Sequence, residues 1–79
     1  MPGRLTGEQQ AAIWRLETAA DAMERAGAML GSYSDVDASR MPDITVWRAD
    51  DTSFCIQVGR GRTLFHYNGP QGHPIPGNC

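Results

Sequence analysis

The sequence lacks lysine, long apolar runs and any concentration of charge of one sign. Its basic side chains are seven arginines, set against nine acidic residues, for a net charge of −2. Nucleic acids and anionic membranes bind a concentrated basic face, so this balance argues against either as the main partner. No stretch approaches the roughly 20 apolar residues of a membrane-spanning helix, and no segment has the pattern of a signal peptide. Any nucleic-acid binding would therefore depend on a local pair of arginines.

Cysteine is also scarce, with Cys55 and Cys79 as the only two. A metal half-site and two unrelated thiols are the alternatives to a disulfide. Zinc would need two further ligands, and the spacing of His66 and His73 from the cysteines fits no compact ligand pattern. Cys79 ends a proline- and glycine-rich tail, where a thiol has no role in a core. We therefore predict a Cys55–Cys79 disulfide, worth roughly 3.5 kcal/mol in the chain-entropy model, and an oxidising compartment.

The length of 79 residues, with 41% hydrophobic residues, indicates one small folded domain spanning residues 1–79. Residues 7–30 have the pattern of an amphipathic helix. Thr6 and Gln9 form a capping-box pair, and Gly31 supplies a left-handed end. Steps of three and four connect the apolar stripe, which consists of Ile13, Leu16, Ala20, Met23, Gly27 and Leu30. We expect this stripe to pack on the domain's own sheet, because a coiled-coil partner would need more repeats.

The second half of the chain has the pattern of a three-stranded antiparallel meander over residues 43–68, after a loop at 31–42. Segments rich in β-branched and aromatic residues are separated by two turns of four or five residues. Strict alternation puts one set of side chains on the helix side, namely Ile44, Val46, Phe54, Ile56, Val58 and Leu64, with His66 as the next residue in the same phase. It puts the other set on the opposite face, namely Thr45, Trp47, Cys55, Gln57, Phe65 and Tyr67. A bulge would shift one strand by a residue.

The tail at residues 69–79 contains Pro70, Pro74 and Pro76 and is too rich in strand breakers for a strand. We expect it to run back over the sheet and to be fixed by the disulfide on the face away from the helix. The predicted fold class is therefore α+β, with one helix on a three-stranded sheet and a disulfide-tied tail.

Few residues have the pattern of a reactive site. Cys55 and His66 are a candidate Cys–His pair, but a bridged Cys55 offers no thiolate and no third group orients the histidine. Arg60 and Arg62 lie in a Gly-Arg-Gly-Arg turn, where they are candidate surface contacts for phosphate or nucleic acid. The simpler interpretation is a hairpin turn with two exposed arginines. We predict no enzyme activity, no cofactor and no metal site.

Three further features bear on surface contacts. Asp35 and Asp37 have the spacing that begins a calcium loop, but the glycine and the distal glutamate of such a loop are missing. We therefore interpret them as solvated loop acids. Trp47 and Phe65, if both lie on the face without the helix, need a cover from the tail or from a neighbouring molecule. An aromatic patch larger than the tail would indicate an assembly surface.

The motifs together resemble the head domain of type IV pilins and type II secretion pseudopilins, especially the short forms of Gram-positive, GC-rich bacteria. The helix ends in Gly31-Ser32-Tyr33 and is followed by the strands Phe54-Cys55-Ile56-Gln57-Val58 and Leu64-Phe65-His66-Tyr67-Asn68. The chain then closes with Pro76-Gly77-Asn78-Cys79. The resemblance covers roughly residues 12–79, and its most specific part is the first strand motif with the closing Pro-Gly-x-Cys.

The resemblance implies a structural subunit of a type IV pilus or pseudopilus at the cell surface, serving adhesion, motility, DNA uptake or secretion. Its partners would be other pilin subunits, and it would meet the membrane only through a hydrophobic stem helix, while the isolated domain would be a monomer. Residues 1–6 stand where the stem of the family would be, which favours a truncated head domain over a divergent protein without a stem. The calcium site of some pseudopilins is not implied, since residues 68–79 contain no acid. The alternative is a secreted, disulfide-stapled binding module or small inhibitor.

Overall fold

A computed structural model describes residues 5–37, 41 and 43–79 of the chain. Its elements are the helix α1 (Gly7–Leu30) and four strands, β1 (Ile44–Ala49), β2 (Phe54–Val58), β3 (Phe65–Gly69) and β4 (Ile75–Pro76). The strands form one antiparallel sheet in the order β1-β2-β3-β4. The α+β class is therefore confirmed. Residues 38–40 and 42 of the predicted loop lie outside the described residues.

The helix α1 has the bounds that its capping signals predict. The hydroxyl oxygen of Thr6 accepts the backbone N–H of Gln9 at 3.1 Å, and the side-chain oxygen of Gln9 accepts the backbone N–H of Thr6 at 2.9 Å. At the other end Gly31 has a φ of 82°, and its N–H donates to the carbonyl of Gly27. At each end of the helix at least one free backbone group is therefore satisfied locally.

The core lies between one face of α1 and one face of the sheet. Its buried members are Ala12, Leu16, Ala19, Ala20, Met23, Phe54, Ile56, Val58, Phe65 and Tyr67. The predicted stripe is correct in its middle, but Leu30 is 54% exposed and does not belong to the core. The reason is length, because a 24-residue helix is about 36 Å long and a five-residue strand only about 17 Å. The last turn of α1 therefore extends past the sheet.

The predicted faces are correct for β2 and wrong for β3. Phe65 and Tyr67 were expected opposite the helix, yet they are 3% and 8% exposed and belong to the core. In the antiparallel ladder Val58 lies opposite Phe65, and Ile56 lies opposite Tyr67. Residues directly opposite each other share a face of the sheet, so these two aromatics must follow Val58 and Ile56 towards α1. His66 and Leu64 consequently point away from the centre of the core.

A bulge in β1 shifts the alternation of that strand by one residue. Val46 lies opposite Ile56 and Arg48 lies opposite Cys55, which leaves Trp47 as the extra residue between them. The shift brings Ala49 opposite Phe54, and Ala49 packs against the core. The sequence allows for such a bulge, and it keeps apolar residues of both halves of β1, Val46 and Ala49, packed against the core.

The predicted three-stranded sheet is wrong by one strand, because Ile75 and Pro76 of the tail pair with β3 as β4. Ile75 lies opposite His66, and Pro76 lies opposite Phe65. Proline has no backbone N–H to donate to a ladder. It is tolerated in β4 because this strand lies at the edge of the sheet and pairs on one side only. The strand is two residues long, so the breaker-rich composition limits it but does not prevent it.

Within the described residues, no helix combines the length and the apolar composition that crossing a membrane requires.

Candidate functional site

The sheet surface opposite α1, which we call the outer face, carries most of the residues that the sequence marks out. Cys55 and Gln57 of β2 alternate with the core residues of that strand, and His66 and Asn68 of β3 lie directly beside them. Register therefore brings these four side chains together.

The predicted disulfide between Cys55 and Cys79 is present on this outer face and is confirmed. The two Cα atoms are 6.1 Å apart, within the range of ordinary disulfides. Cys55 is 3% exposed, whereas Cys79 is an exposed residue. The bond therefore anchors the end of the tail to the second residue of β2.

Hydrogen bonds guide the tail across the outer face to this bond. The ring nitrogen Nδ1 of His66 lies 3.0 Å from the carbonyl oxygen of Gly77, which accepts a hydrogen bond from the ring N–H. The backbone N–H of Cys79 donates to the side-chain oxygen of Gln57 at 3.4 Å. The tail thus crosses from β4 over β3 to β2, on the face where the sequence predicted it.

Trp47 is the exposed aromatic of the outer face, with 59% of its surface accessible. The neighbouring Arg48 is held by Asp50, whose carboxylate accepts from its guanidinium at 3.0 Å. Backbone N–H groups of Thr52 and Ser53 also donate to Asp50, and they lower the pKa of that carboxyl below its ordinary value. Arg48 is therefore turned towards the β1–β2 turn, and more than half of the surface of Trp47 is accessible beside it. Phe65, its predicted companion, lies in the core instead.

A catalytic pair of Cys55 and His66 does not form. Cys55 lies opposite Asn68 and Arg48, while His66 lies opposite Gln57 and its ring bonds to Gly77. The sulfur of Cys55 is also bonded to Cys79, so it is not available as a thiolate. Among residues 5–37, 41 and 43–79, no three His, Cys, Asp or Glu side chains come together as a metal site.

Arg60 and Arg62 lie where β2 turns into β3, around a short 3-10 turn at Gly61–Thr63, and both are exposed. The turn is fixed by Thr63, whose hydroxyl donates to the carbonyl of Arg60 at 2.9 Å. It is also joined to the start of α1, because the side-chain amide of Gln9 donates to the carbonyl of Arg62 at 3.0 Å. Both arginine side chains are therefore exposed on a hydrogen-bonded turn.

A shallow groove between α1 and the start of β1 was not anticipated from the sequence. We call it the Trp14 groove, and its lining residues are Trp14, Arg15, Thr18, Ala19, Ala22, Met41, Asp43 and Ile44. Trp14 is 67% exposed, and Arg15 and Asp43 approach to 3.7 Å at the rim. The signal for it was a tryptophan outside the apolar stripe of the helix. The walls are apolar, and the charges at the rim balance, so the groove suits an apolar contact without a charge preference.

Comparison of the chain with protein-family models, with curated proteins and with solved structures found no match. The site is therefore interpreted from its own geometry. The outer face and the Trp14 groove offer aromatic contact surfaces, and the outer face contains a structural disulfide in place of a free nucleophile.

Proposed function

We propose that this chain is the head domain of a filament subunit of the type IV pilin and pseudopilin class, displayed at the cell surface. The observation that carries the proposal is the Cys55–Cys79 bridge, which joins the two most specific parts of the resemblance. In that arrangement the strand motif around Cys55 and the closing Pro-Gly-x-Cys form a single crosslinked unit on the outer face. The proposal assigns the domain a structural role without turnover.

The shape of the domain supports a role in packing between subunits. Only one stripe of α1 is buried by the sheet, and several large apolar side chains of the helix stay exposed. Trp14, Met29 and Leu30 are 67%, 87% and 54% exposed. Trp14 and Met29 lie on the side of the helix away from the sheet, and Leu30 lies on the last turn beyond the sheet, so both regions suit contact with neighbouring subunits. The disulfide, in turn, suits an oxidising, extracellular environment.

A second candidate function, a secreted disulfide-stapled binding module or small inhibitor, is favoured by the N-cap of α1. Thr6 has extended backbone angles, with φ −73° and ψ 167°, and forms both hydrogen bonds of a capping box. A stem helix continuous with α1 would require Thr6 to become helical and to lose both bonds. In this second interpretation Trp47 and the outer face would form the recognition surface.

Fractionation of the organism that encodes the chain separates these two candidates. Surface filaments would be sheared off and pelleted, and the pellet and the culture medium would be probed by peptide mass spectrometry and by immunogold labelling with antibodies raised to the purified domain. The filament proposal expects the chain in the pellet, with labelling along filaments. Recovery of the chain only as free monomer in the medium would refute the filament proposal and favour the binding module.

The reading frame upstream of the Thr6 codon gives an independent test. A filament subunit is expected to have a short basic leader followed by about 20 apolar residues that stay in the mature protein. A secreted module is expected to have a signal peptide with a small-residue cleavage site instead. An upstream frame without any apolar segment would contradict both candidates.

A further inference from the structure

Gly69 ends β3, and the rest of the tail, residues 70–79, is attached to the fold without contributing to its core. Among the described residues, the core cluster has no member beyond Tyr67. The contacts of the tail include the two-residue pairing of β4 with β3, a hydrogen bond from the N–H of Gly77 to the carbonyl of Leu64 at 2.9 Å, and the bonds to His66 and Gln57. The disulfide then fixes its last residue. The tail is therefore a strap whose seat is built entirely by the rest of the fold.

The turn that connects β3 to the strap is strained. Gln71 has a φ of 63°, in the left-handed region that residues with a side chain rarely adopt. Gly72 lies so close to the backbone of Asn68 that a side chain at this position would meet the Asn68 carbonyl. The turn is therefore tight, and opening it would release Gln71 into an ordinary extended conformation. Short connections under strain favour the exchange of a terminal element between two copies of a chain.

We propose that the strap is exchangeable, so that two copies of this chain can seat their straps on each other's β3 edge and outer face. Each Cys79 would then bond to Cys55 of the second copy. The surface that binds the strap selects the strap of a second copy as its partner. That strap offers the same β4 pairing, the same Gly77 bonds and the same cysteine. The β4 pairing, the Gly77 bonds and the disulfide of the closed form are remade, and the strain at Gln71 is removed. This inference is independent of the proposed filament function.

The exchange is neutral in electrons and needs only a catalytic thiol, such as glutathione or a thiol–disulfide oxidoreductase. The thiolate of the catalyst attacks the sulfur of the exposed Cys79, and the Cys79–Cys55 bond breaks with the electron pair leaving on Cys55. In a second copy opened by the catalyst in the same way, the Cys55 thiolate then attacks the mixed disulfide at Cys79 of the first copy and expels the catalyst as its thiolate. Two such exchanges convert two bonds within chains into two bonds between chains. Attack at Cys55 is hindered because that residue is 3% exposed.

The test mixes ¹⁵N-labelled and unlabelled full-length chain at high concentration with a catalytic amount of glutathione. After thiol quenching, size-exclusion chromatography with light scattering gives the ratio of dimer to monomer. Trypsin cuts after Arg60 and Arg62, which separates the Cys55 peptide from the Cys79 peptide, so mass spectrometry identifies each crosslink. We expect a dimer in which labelled Cys55 is joined to unlabelled Cys79 and the reverse. A chain that stays monomeric, or dimers joined Cys55 to Cys55 or Cys79 to Cys79, would overturn the proposal.

Two variants of the turn make the test specific to strain. Gln71→Gly removes the left-handed penalty in the closed form and is expected to lower the dimer-to-monomer ratio about tenfold. Gln71→Val increases the penalty, since β-branched residues tolerate this region poorly, and is expected to raise the ratio. His73→Val is the matched control in the exposed strap, because His73 has no positive φ and its ratio should equal that of the unmodified chain. Equal ratios for the two Gln71 variants would contradict the strain argument even if one of them folded poorly.

Discussion

Gly27 of α1 faces the ring of Tyr33, which packs on Phe54 with ring centroids 4.9 Å apart. A Cβ atom at position 27 would overlap the body of the Tyr33 ring. The close approach of the helix to this aromatic pair therefore depends on the absence of a side chain at one position. Glycine weakens a helix interior by about 1 kcal/mol relative to alanine, so its presence here has a packing reason.

Gly27→Ala is expected to destabilise the fold by about 1–2 kcal/mol, because the gain in helix propensity is smaller than the cost of displacing Tyr33 from Phe54. Urea denaturation followed by circular dichroism measures the change. Gly7→Ala is the matched control, since a Cβ at the first residue of α1 meets no atom within 4 Å. Equal stability of the two variants would show that the ring of Tyr33 moves aside freely.

Tyr67 ties the sheet to α1 through a polar contact at the margin of the core. Its hydroxyl donates to the carboxylate of Glu24 at 3.1 Å. Burial raises the pKa of Tyr67 above its ordinary value of 10.0, and the hydrogen bond and the negative charge of Glu24 act in the same direction. The folded state therefore favours the protonated phenol.

This raised pKa predicts a loss of stability in alkali. The contribution of Tyr67 is fully present below the unfolded pKa near 10 and is lost as the pH rises towards the folded pKa. The chain has no lysine and only two tyrosines, so few other groups titrate in this range. Denaturation midpoints measured from about pH 9 to 11 should fall less for Tyr67→Phe than for the unmodified chain. An identical fall in both would place the alkaline sensitivity elsewhere.

Residue by residue, the sequence was sufficient to assign the faces of β2 but not those of β3. The segment Leu64-Phe65-His66-Tyr67 offers an apolar residue in either phase, so alternation alone does not choose between them. The choice depends on which residue lies opposite Val58, and that is set by the path of the 59–64 connection. Trp14 was missed for a related reason, because the Trp14 groove depends on Met41 and Ile44 from a distant part of the chain.

At the scale of elements, the ends of α1 were the most predictable feature because they are decided by neighbours in sequence. Thr6 and Gln9 are three residues apart, and Gly31 directly follows the last helical residue. The strand β4 was the least predictable. It depends on β3 offering a free edge to a proline-containing segment, which is a property of the assembled sheet.

The capping box at the start of α1 predicts that Thr6→Ala lowers the stability of the fold more than Thr18→Ala does. Thr6→Ala removes the acceptor for the N–H of Gln9 and is expected to cost about 1 kcal/mol. Thr18→Ala is the control in the exposed middle of α1, where the hydroxyl only donates back to the carbonyl of Trp14 at 2.8 Å. That variant is expected to be neutral or stabilised by a few tenths of a kcal/mol through helix propensity. Thermal melts followed at 222 nm compare the two, and an equal loss in both would show that the capping box contributes nothing.

At the scale of the molecule, the core and the strap stabilise the fold in different ways. The described residues extend over 43 × 21 × 17 Å, and the core lies between α1 and the strands β1 to β3. The strap adds a short edge strand and a covalent bond. Its stabilising effect therefore acts largely through the unfolded chain, whose freedom the bond restricts, and only slightly through contacts in the folded one.

Removing both cysteines tests this division. Because the bond joins residues 24 positions apart, the double variant Cys55→Ala, Cys79→Ala is expected to lose about 3.5 kcal/mol in the chain-entropy model. The core aromatics should stay packed, so near-ultraviolet circular dichroism at low denaturant should keep its native shape. Asn78→Ala, an exposed change beside Cys79, is the control and should leave the unfolding free energy within about 0.5 kcal/mol. Loss of the near-ultraviolet signal in the double variant would mean that the strap holds the core together, and the division of roles between core and strap would then be wrong.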